Sequence, residues 1–301
     1  MKTAFCTIST NSHLFKVDAL FSSLKNLGEE SDMVCLATEL GQAEIKNGQL
    51  LQLEDIELGE CGDLIIRKYA STRDHLRWSL KPILISLLLE KYEKVIYLDN
   101  DIGFFNSPSF LWNELDTTDI LLTPHHYPRD PKKNQNWLEA NFKVGLYNAG
   151  FIGVNKNAKH IMDWWADCCL YRCEKSLIRG LFDDQKYLDL VPVMHTNTKV
   201  LEHKGCNVAG WNAEVCRREL SDDNIIFING KWPIVFIHFN GFSVRTILHG
   251  NDSLLRPYLT NYIEQLRVFK PNLEEGDLWN ENTFWDRIKL FAWKTLNSLK
   301  N

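Results

Sequence analysis

The sequence lacks the features that direct a chain into or across a membrane. No segment contains the roughly 18 or more uninterrupted apolar residues that a membrane span needs. The opening residues, MKTAFCTISTNSHLF, hold a single lysine but neither a long apolar region nor a cleavage site of small residues. The sequence therefore predicts a soluble protein that faces the cytoplasm.

Clustered positive charge is also missing. The 301 residues include 34 Lys and Arg against 39 Asp and Glu, the formal net charge is -5, and the basic residues are scattered. Nucleic-acid-binding proteins usually present a basic face, so no nucleic-acid partner is predicted. An anionic ligand would need a bound cation or local hydrogen-bond donors.

Paired CxxC motifs are absent, although the chain has eight cysteines. Six residues would be the candidate zinc ligands: Cys168, Cys169, Cys173, His203, Cys206 and Cys216. Their spacing is not that of zinc knuckles, and disulfides are uncommon in chains without a secretory signal. We therefore predict reduced thiols in helices and core rather than a zinc site.

The sequence does contain β-rich apolar runs that alternate with helical patterns. Seven runs predict strands, at residues 3–10, 33–38, 63–67, 94–101, 119–125, 151–155 and 232–239. Helical spacing recurs between them, at residues 14–27, 76–92 and 158–175. This alternation predicts an α/β fold in which helices flank both faces of an open sheet.

Two segments do not follow the alternation. Residues 126–145 are rich in Pro, Asn and charge, which predicts a long loop, either a lid over a ligand or a passive insertion. Within residues 279–301, apolar side chains recur at helical spacing between basic ones: Trp285, Ile288, Ala292, Leu296 and Leu299. The spacing predicts an amphipathic helix that either lies on an anionic membrane surface or docks on its own domain or a second subunit.

The stretch KVIYLDNDIGFF, residues 94–105, places Asp99 and Asp101 between two apolar runs. Residues two apart in a strand face the same side, and ligands bind at the carboxyl ends of strands in open α/β sheets. Two neighbouring carboxylates repel unless a cation or a proton lies between them. We therefore predict a divalent metal site, with a plain turn at the end of a strand as the alternative.

Three further segments supply polar groups near predicted element ends. The run WPIVFIH ends in His238, and an imidazole beside two carboxylates suits Mn²⁺ while tolerating Mg²⁺. The run GLFDDQ places acids at a predicted helix start, where we predict that Asp183 caps the helix. The block YNAGFIGVN places small residues ahead of a strand, where a ligand can approach the backbone: Asn148, Ala149 and Gly150.

Six blocks, in this order along the chain, resemble nucleotide-sugar-dependent glycosyltransferases of the GT-A fold: LKPILISLLLEKYEKVIYLDNDI, DILLTPHH, GLYNAGFIGVN, GLFDDQKYLDLVP, NVAGWN and IHFNGF. The resemblance is to the glycogenin-like family 8 and related bacterial surface-polysaccharide enzymes. It implies an α/β GT-A fold, a Rossmann-like open mixed sheet, in a catalytic domain of residues 1–265. Residues 266–301 are then a C-terminal amphipathic helical extension.

The resemblance also assigns roles to individual residues. It implies a Mn²⁺ site, with Mg²⁺ as the alternative ion, at Asp99, Asp101 and His238. It implies donor contacts from Thr7, Ile8, Asn11, Lys81, Asn100, Asn148, Ala149, Gly150 and Gly241. It places Asp184 and Gln185 near the anomeric carbon as catalytic residues. Apart from the resemblance, the residue types themselves predict the acceptor side at His125, His126, Trp211 and Asn212, with core packing as the alternative for Trp211.

The implied activity is metal-dependent transfer of a hexose from a UDP-sugar to the hydroxyl of a glycan or lipid-linked glycan, in surface glycan or polysaccharide synthesis. The resemblance favours retention, with Asp184 as a covalent nucleophile or with acceptor attack on the leaving-group face. The sequence departs from the family pattern at two places: Lys186 stands where a further acid usually follows D-Q, and no K-P-W follows H-F-x-G. The resemblance therefore predicts the fold more firmly than the substrate or the stereochemical outcome.

Two alternatives differ from a glycosyltransferase in class. A non-catalytic nucleotide-sugar-binding pseudoenzyme would keep the pocket without turnover. A sugar nucleotidyltransferase would need an early glycine-rich, basic loop for a triphosphate, whereas TISTNSHLF has neither Gly nor Arg.

Overall fold

The computed structural model of the protein describes residues 2–278. The strands are β1 (Thr3–Ser9), β2 (Asp32–Ala37), β3 (Gln49–Gln52), β4 (Lys94–Leu98), β5 (Ile102–Phe104), β6 (Ile120–Pro124), β7 (Tyr147–Asn155), β8 (Glu174–Ser176), β9 (Leu181–Asp183), β10 (Thr198–Val200), β11 (Arg218–Leu220), β12 (Ile226–Ile228), β13 (Trp232–Pro233) and β14 (Phe236–His238). The helices are α1 (Leu14–Asn26), α2 (Gly59–Tyr69), α3 (Arg73–Ser79), α4 (Lys81–Leu88), α5 (Ser109–Thr117), α6 (Gln135–Lys143), α7 (Lys159–Tyr171), α8 (Val191–Met194), α9 (Gly241–Leu248) and α10 (Arg256–Phe269).

Seven of these strands form a central sheet in the order β10-β6-β7-β4-β1-β2-β3. Neighbouring strands pair in parallel, except that β7 runs antiparallel to both β4 and β6. The carboxyl ends of the parallel strands and the amino end of β7 therefore meet at one edge of the sheet. Ligands bind at this edge in open α/β folds, and the predicted open mixed sheet is confirmed.

Helices cover both faces of the sheet because successive side chains of a strand point to opposite faces. In β4, Val95 and Tyr97 belong to a core formed with α2, α4 and α7. The alternate residues Ile96 and Leu98 belong to a second core, formed with α1 and α5. A strand buried on both faces reads as a continuous apolar run, which explains why KVIYL shows no polar alternation.

A smaller two-stranded unit holds His238 against the end of β4. Strand β14 pairs antiparallel with β5, and His238 lies opposite Ile102. Behind the pair, the rings of Phe239 and Tyr262 stack with their centroids 4.3 Å apart. Tyr262 belongs to α10, and it shares a third apolar core with Ile237 of β14 and with Phe239. This packing fixes the strand that carries the histidine.

The strand predicted at residues 63–67 is wrong, because this run lies in α2. Ile65 and Tyr69, four residues apart, are buried, whereas Leu64 is exposed. That is the pattern of an amphipathic helix. A short apolar run does not by itself distinguish a strand from a helix segment.

Two other predicted segments are divided differently in the structure. The helix predicted over residues 76–92 is two helices, α3 and α4, that meet at Leu80. Pro82 at the start of α4 has no N–H to donate, and its ring disfavours a continuous helix. The loop predicted over residues 126–145 contains α6, whose cap is the Asn134 side chain, accepting from the Trp137 N–H at 3.3 Å. Neither β3 nor α5 is predicted from the sequence.

The remaining sequence predictions concern thiols, membrane segments and the chain's end. All eight cysteines are free thiols, as predicted. Among residues 2–278, no helix combines the length and the apolar character that a bilayer crossing requires. The helix predicted within residues 279–301 lies outside the described residues, and the division at residue 265 stays a prediction.

Candidate active site

The two acids of the DND stretch and the late histidine converge at the ligand edge of the sheet. The side chains of Asp99, Asp101 and His238 each offer one ligand atom, and these atoms lie within 4.8 Å of one another. His238 Nε2 is 3.0 Å from Asp101 Oδ1 and 3.9 Å from Asp99 Oδ2. The two acids meet for a different reason from the one predicted, because β4 ends at Leu98 and a turn, rather than strand alternation, brings them together.

The orientation of the His238 ring is fixed from its other side. His238 Nδ1 lies 3.3 Å from Asn207 Oδ1, a carbonyl oxygen that can only accept, so Nδ1 carries the proton of this bond. Nε2 therefore faces the carboxylates. Burial lowers the pKa of His238, but the carboxylates of Asp101 and Asp99 together outweigh this effect and the net shift is upward. The same pairing holds the pKa of Asp101 well below its usual value despite burial, so the cluster favours added positive charge.

Strand β7 approaches this cluster closely, and Gly150 makes the approach sterically feasible. The Asp99 N–H donates to the Gly150 carbonyl at 2.8 Å. A Cβ at position 150 would lie 2.6 Å from His238 Cε1 and 2.9 Å from Asp99 Oδ2. Both distances are shorter than van der Waals contact, so the position excludes any side chain while the cluster keeps this geometry.

A buried lysine lies between Asp184 and the cluster of Asp99, Asp101 and His238. Lys81 Nζ lies 3.1 Å from Asp99 Oδ1 and 3.2 Å from Asp184 Oδ2, and it donates to the Ala149 carbonyl at 3.1 Å. Burial lowers the pKa of Lys81, but the two carboxylates outweigh it and keep the ammonium charged. Burial raises the pKa of Asp184 to about 6, against the opposing effect of Lys81. Asp184 is therefore mostly ionised at neutral pH.

Gln185 is held by the start of β7 through both ends of its amide. Its Oε1 accepts from Asn148 Nδ2 at 3.2 Å and from the Ala149 N–H at 3.3 Å. Its Nε2 donates to the Val144 carbonyl at 3.2 Å. Asn148 also lies beside His125, with 3.3 Å between Asn148 Nδ2 and His125 Nε2. Burial lowers the pKa of His125 to about 3, so this imidazole is neutral and Nε2 accepts.

Two adjoining cavities flank the Lys81 ammonium. The first, of about 120 Å³, includes Arg77, Asn100 and Asp101 in its lining. The second, of about 100 Å³, includes Gly150 and Asp184. Both are lined by Trp78, Lys81 and Asp99. With a cation bound at the two acids, the cavities can hold an elongated ligand. Its anionic part would lie beside Asp99 and Asp101, and its other part would lie beside Asp184.

Comparison with protein families agrees with this arrangement. The model described as Glycosyl transferase family 8 matches residues 43–243, which is more than half of the chain. The chain belongs to glycosyl transferase family 8. The resemblance noted on six short sequence blocks is thereby confirmed, and the protein is a glycosyltransferase.

Two curated relatives of this family 8 glycosyltransferase come from Bacillus subtilis (strain 168). The uncharacterized protein YfnF is 26% identical over 257 residues, which cover 82% of this chain and 84% of YfnF. The uncharacterized protein YfnD is 25% identical over 301 aligned positions, covering 90% of this chain and 93% of YfnD. Neither description states a substrate.

Solved structures similar to this family 8 glycosyltransferase include the bifunctional glycosyltransferase WbbM in its apo form. It has a TM-score of 0.51 and 12% identity, over 97% of this chain and 51% of WbbM, and it shows the shared fold. Mouse xyloside xylosyltransferase 1, in its apo form, has a TM-score of 0.48 and 14% identity, over 79% of this chain and 97% of that chain. The galactosyltransferase LgtC, in complex with donor and acceptor sugar analogs, has a TM-score of 0.47 and 12% identity, over 78% of this chain and 86% of that chain.

Five of the nine predicted donor residues line at least one of the two cavities: Ile8, Lys81, Asn100, Ala149 and Gly150. Ile8 lines the first cavity, and Asn100 donates from Nδ2 to Ser9 Oγ at 3.0 Å. Thr7 is fully buried, and its hydroxyl has no hydrogen-bond partner. The backbone N–H of Asn11 donates to Glu39 Oε2 at 2.9 Å. Gly241 begins α9.

The predicted acceptor residues do not form one group. The Trp211 ring lies edge-on to both His238 and His125, with centroids 5.3 and 5.9 Å away. Asn212 donates from Nδ2 to the Asn207 carbonyl at 2.9 Å, so it supports the residue that orients His238. His126 lines a separate cavity of about 540 Å³. The structure therefore separates His126 from its neighbour His125.

The helix-capping prediction for Asp183 is wrong. Asp183 ends β9 with φ of +52°, and its carboxylate lies 3.3 Å from Lys175 Nζ. The short helix that follows has no side-chain cap. Since Lys175 belongs to β8, which pairs with β9, the acid serves a cross-strand pair instead.

Several residues in or beside the two cavities are not predicted from the sequence. Tyr97 donates from its hydroxyl to Asp99 Oδ1 at 3.0 Å, and the period of two from Asp99 could have indicated it. Arg77 and Trp78 also line the first cavity. They lie four and three residues before Lys81, so the helical spacing within the helix predicted over residues 76–92 could have indicated them. Asn207 and Phe182 stand in the blocks NVAGWN and GLFDDQKYLDLVP, but no strand or helix period indicates their place in the site.

Proposed function

We propose that this glycosyltransferase moves a hexose from a UDP-sugar to an acceptor hydroxyl in a divalent-metal-dependent reaction. The observation that carries the proposal is the convergence of Asp99, Asp101 and His238 beside a cavity that also holds Asp184. A nucleotide sugar has an anionic diphosphate next to a reactive sugar carbon. The two adjoining cavities offer those two chemistries side by side.

The donor set fits a divalent ion. Two carboxylates and one imidazole suit Mn²⁺, with Mg²⁺ as the alternative. Asn207 holds the His238 ring from the far nitrogen, as outer partners of metal-binding histidines commonly do. When bound, the ion would supply a Lewis acid that neutralises charge on the departing diphosphate.

The chain's own cations support the same step. Arg77 lines the first cavity beside the two acids, where its guanidinium can pair with phosphate oxygens. Lys81 is charged and fixed by two carboxylates and a carbonyl, so it needs no reorientation during the reaction. Preorganised charge of this kind stabilises a transition state without a reorganisation cost.

We propose that Asp184 faces the anomeric carbon and that transfer proceeds with retention. Its carboxylate can stabilise positive charge on the sugar, either as a covalent nucleophile or as an electrostatic partner while the acceptor attacks from the leaving-group face. Gln185 has both ends of its amide bound to the protein. We therefore assign it to positioning Asn148 and the start of β7.

On the acceptor side we propose a glycan or lipid-linked glycan, in surface glycan or polysaccharide synthesis. The Trp211 ring packs edge-on against His125 and His238. Because His125 and Trp211 are buried, we assign them to supporting the wall on the acceptor side rather than to stacking on a sugar. The site of action proposed for the protein is the cytoplasm, including the inner face of the membrane. Residues 279–301 remain a proposed contact with the membrane or with a second copy of the chain.

The experiment that tests the function is UDP release from a panel of UDP-sugars, each with Mn²⁺, with Mg²⁺ and with a chelator. Metal-dependent release from one donor, lost in Asp99→Ala, is the expected result. Metal-dependent UDP binding without release would favour the pseudoenzyme alternative. If UDP does not bind under any condition, the proposal is refuted.

The rate of donor turnover is expected to fall as the pH drops through about 6, because burial raises the pKa of Asp184 to that value. An acid with this pKa is protonated below it and loses the negative charge that the proposed step needs. Turnover at pH 5 should be about tenfold lower than at pH 7. The measurement is kcat/KM against pH at saturating metal ion.

The matched variant for this profile is Asp184→Asn, which has no titratable group at that position. Its residual activity should lack the decrease near pH 6. If the decrease persists unchanged in Asp184→Asn, then another group, such as His238, is responsible.

A further inference from the structure

A short β-hairpin projects from the protein next to the active site. Strands β8 and β9 pair antiparallel, from Glu174 opposite Asp183 to Ser176 opposite Leu181. The tip between them carries Leu177, which is 62% exposed, and Ile178, which is fully exposed. Two adjacent aliphatic side chains at a projecting tip leave apolar surface whose removal from water would be favourable.

Basic side chains lie on either side of this tip. Residues 171–183 contain three basic residues and two acids, a net charge of +1, whereas the whole chain has a net charge of -5. Glu174 pairs with Arg172 and Arg179, and Asp183 pairs with Lys175. The side chains of Lys175 and Arg179 are more than half exposed. Tyr171, at the same end of α7, is also largely exposed. Apolar side chains with basic neighbours match the surface of an anionic bilayer.

The base of the hairpin is part of the active-site wall. Phe182 and Asp183 of β9 line the second cavity together with Asp184. Lys175 Nζ, on β8, lies 5.0 Å from the centre of the Trp78 ring and 3.3 Å from Asp183 Oδ2. The tip is thus tied by a strand ladder to the cavity in which the sugar is proposed to react.

We propose that the tip of the β8–β9 hairpin inserts into the surface of an anionic phospholipid bilayer. Seating the tip there would present the cavity at Asp184 to acceptors anchored in the same bilayer. This second part rests on the proposed function, whereas insertion itself does not. The surface is distinct from residues 279–301, for which membrane contact is proposed on sequence grounds.

A second hairpin of the same chain provides a matched control. The turn between β11 and β12 exposes Leu220 by 53% and Ile225 by 51%, so it offers the same two residue types. It carries Asp222 and Asp223, both exposed, in place of basic residues. Apolar exposure is therefore similar in kind, whereas the charge is opposite, and anionic lipid should repel this hairpin.

The experiment is co-flotation of the full chain with vesicles of phosphatidylcholine, alone or mixed with phosphatidylglycerol. The wild-type chain is expected to float with the mixed vesicles and much less with phosphatidylcholine alone. The double variant Leu177→Ser, Ile178→Ser should lower the vesicle partition coefficient by about tenfold or more, because two aliphatic side chains no longer enter the apolar layer. The control Leu220→Ser, Ile225→Ser should bind as the wild type does.

Two results would overturn the inference. If the hairpin double variant floats as the wild type does, the membrane contact lies elsewhere in the chain. If the wild-type chain does not float with the mixed vesicles, the inference is also overturned. Loss of self-association in the variant alone, measured by sedimentation, would then show that the tip joins two copies of the protein. UDP release measured on the same samples should not change in the double variant, so a failure of the proposed function is seen separately.

Discussion

Replacing Asp101 with Asn is expected to lower donor turnover by about 10² or more, by analogy with the loss of one preorganised catalytic group. The substitution keeps the shape of the side chain but removes the carboxylate that lies 3.0 Å from His238 Nε2. Binding of Mn²⁺ alone should weaken in parallel, because the cluster loses one of its two anionic ligands. Turnover by UDP release and Mn²⁺ binding by titration calorimetry are the two measurements.

The control for this variant is Asp223→Asn, which makes the same chemical change at an exposed turn. It should leave both quantities unchanged. Normal turnover in Asp101→Asn would eliminate the metal-site hypothesis. Loss of turnover with unchanged Mn²⁺ binding would instead show that Asp101 acts on the substrate and not on the ion.

Replacing Lys81 with Met is expected to lower the free energy of unfolding by about 3 to 5 kcal/mol, the usual cost of removing one partner from a buried ion pair. The Lys81 side chain is only 4% exposed, and Asp184 is buried to the same extent. Without the ammonium, Asp184 must ionise unpaired in the fold or take up a proton. Urea unfolding at several pH values measures the loss.

The pH dependence of that loss has a definite sign. Removing Lys81 raises the pKa of Asp184 in the folded protein still further above its value in the unfolded chain. The penalty for ionising the acid is therefore full above the folded pKa, and it disappears as the pH falls toward the unfolded value. Destabilisation should be largest at alkaline pH, and Lys81→Met with Asp184→Asn should recover much of it.

A surface lysine gives the comparison for Lys81. Lys159 pairs with Glu90 and Asp163 at 3.8 and 3.5 Å, but its side chain is 36% exposed. Lys159→Met should cost less than about 1 kcal/mol, because exposed pairs contribute little. Equal losses in the two variants would mean that Lys81 contributes to stability only as an ordinary ion pair.

The main architecture is readable from the sequence because its strands are strongly patterned. The run KVIYL is continuously apolar, as expected for a strand covered on both faces, and it predicts β4 correctly. By contrast, residues 63–67 contain too few apolar positions to show whether the period is two or near four. Their assignment to α2 depends on tertiary packing at Ile65 and Tyr69, which no local pattern contains.

The site is predictable where residues are close in sequence and less so where folding brings them together. Asp99 and Asp101 were found because they interrupt an apolar run. Asn207, by contrast, reaches His238 from a residue with φ of +57° in an irregular segment. Its role depends on a backbone turn that the sequence does not encode through any periodic signal.

The reversed direction of β7 has a consequence for how this enzyme can be altered. Strand β6 ends and β7 begins at the ligand edge, where Pro124 pairs with Tyr147. The intervening residues 125–146 therefore leave and re-enter the sheet at the same place. The length of this excursion can therefore change without a change in the register of β6 and β7, provided that the Val144 carbonyl stays bound to Gln185 and the His125 ring stays beside Asn148. Chimaeras made at these two junctions would test whether the excursion sets acceptor preference, while UDP release reports on the donor side separately.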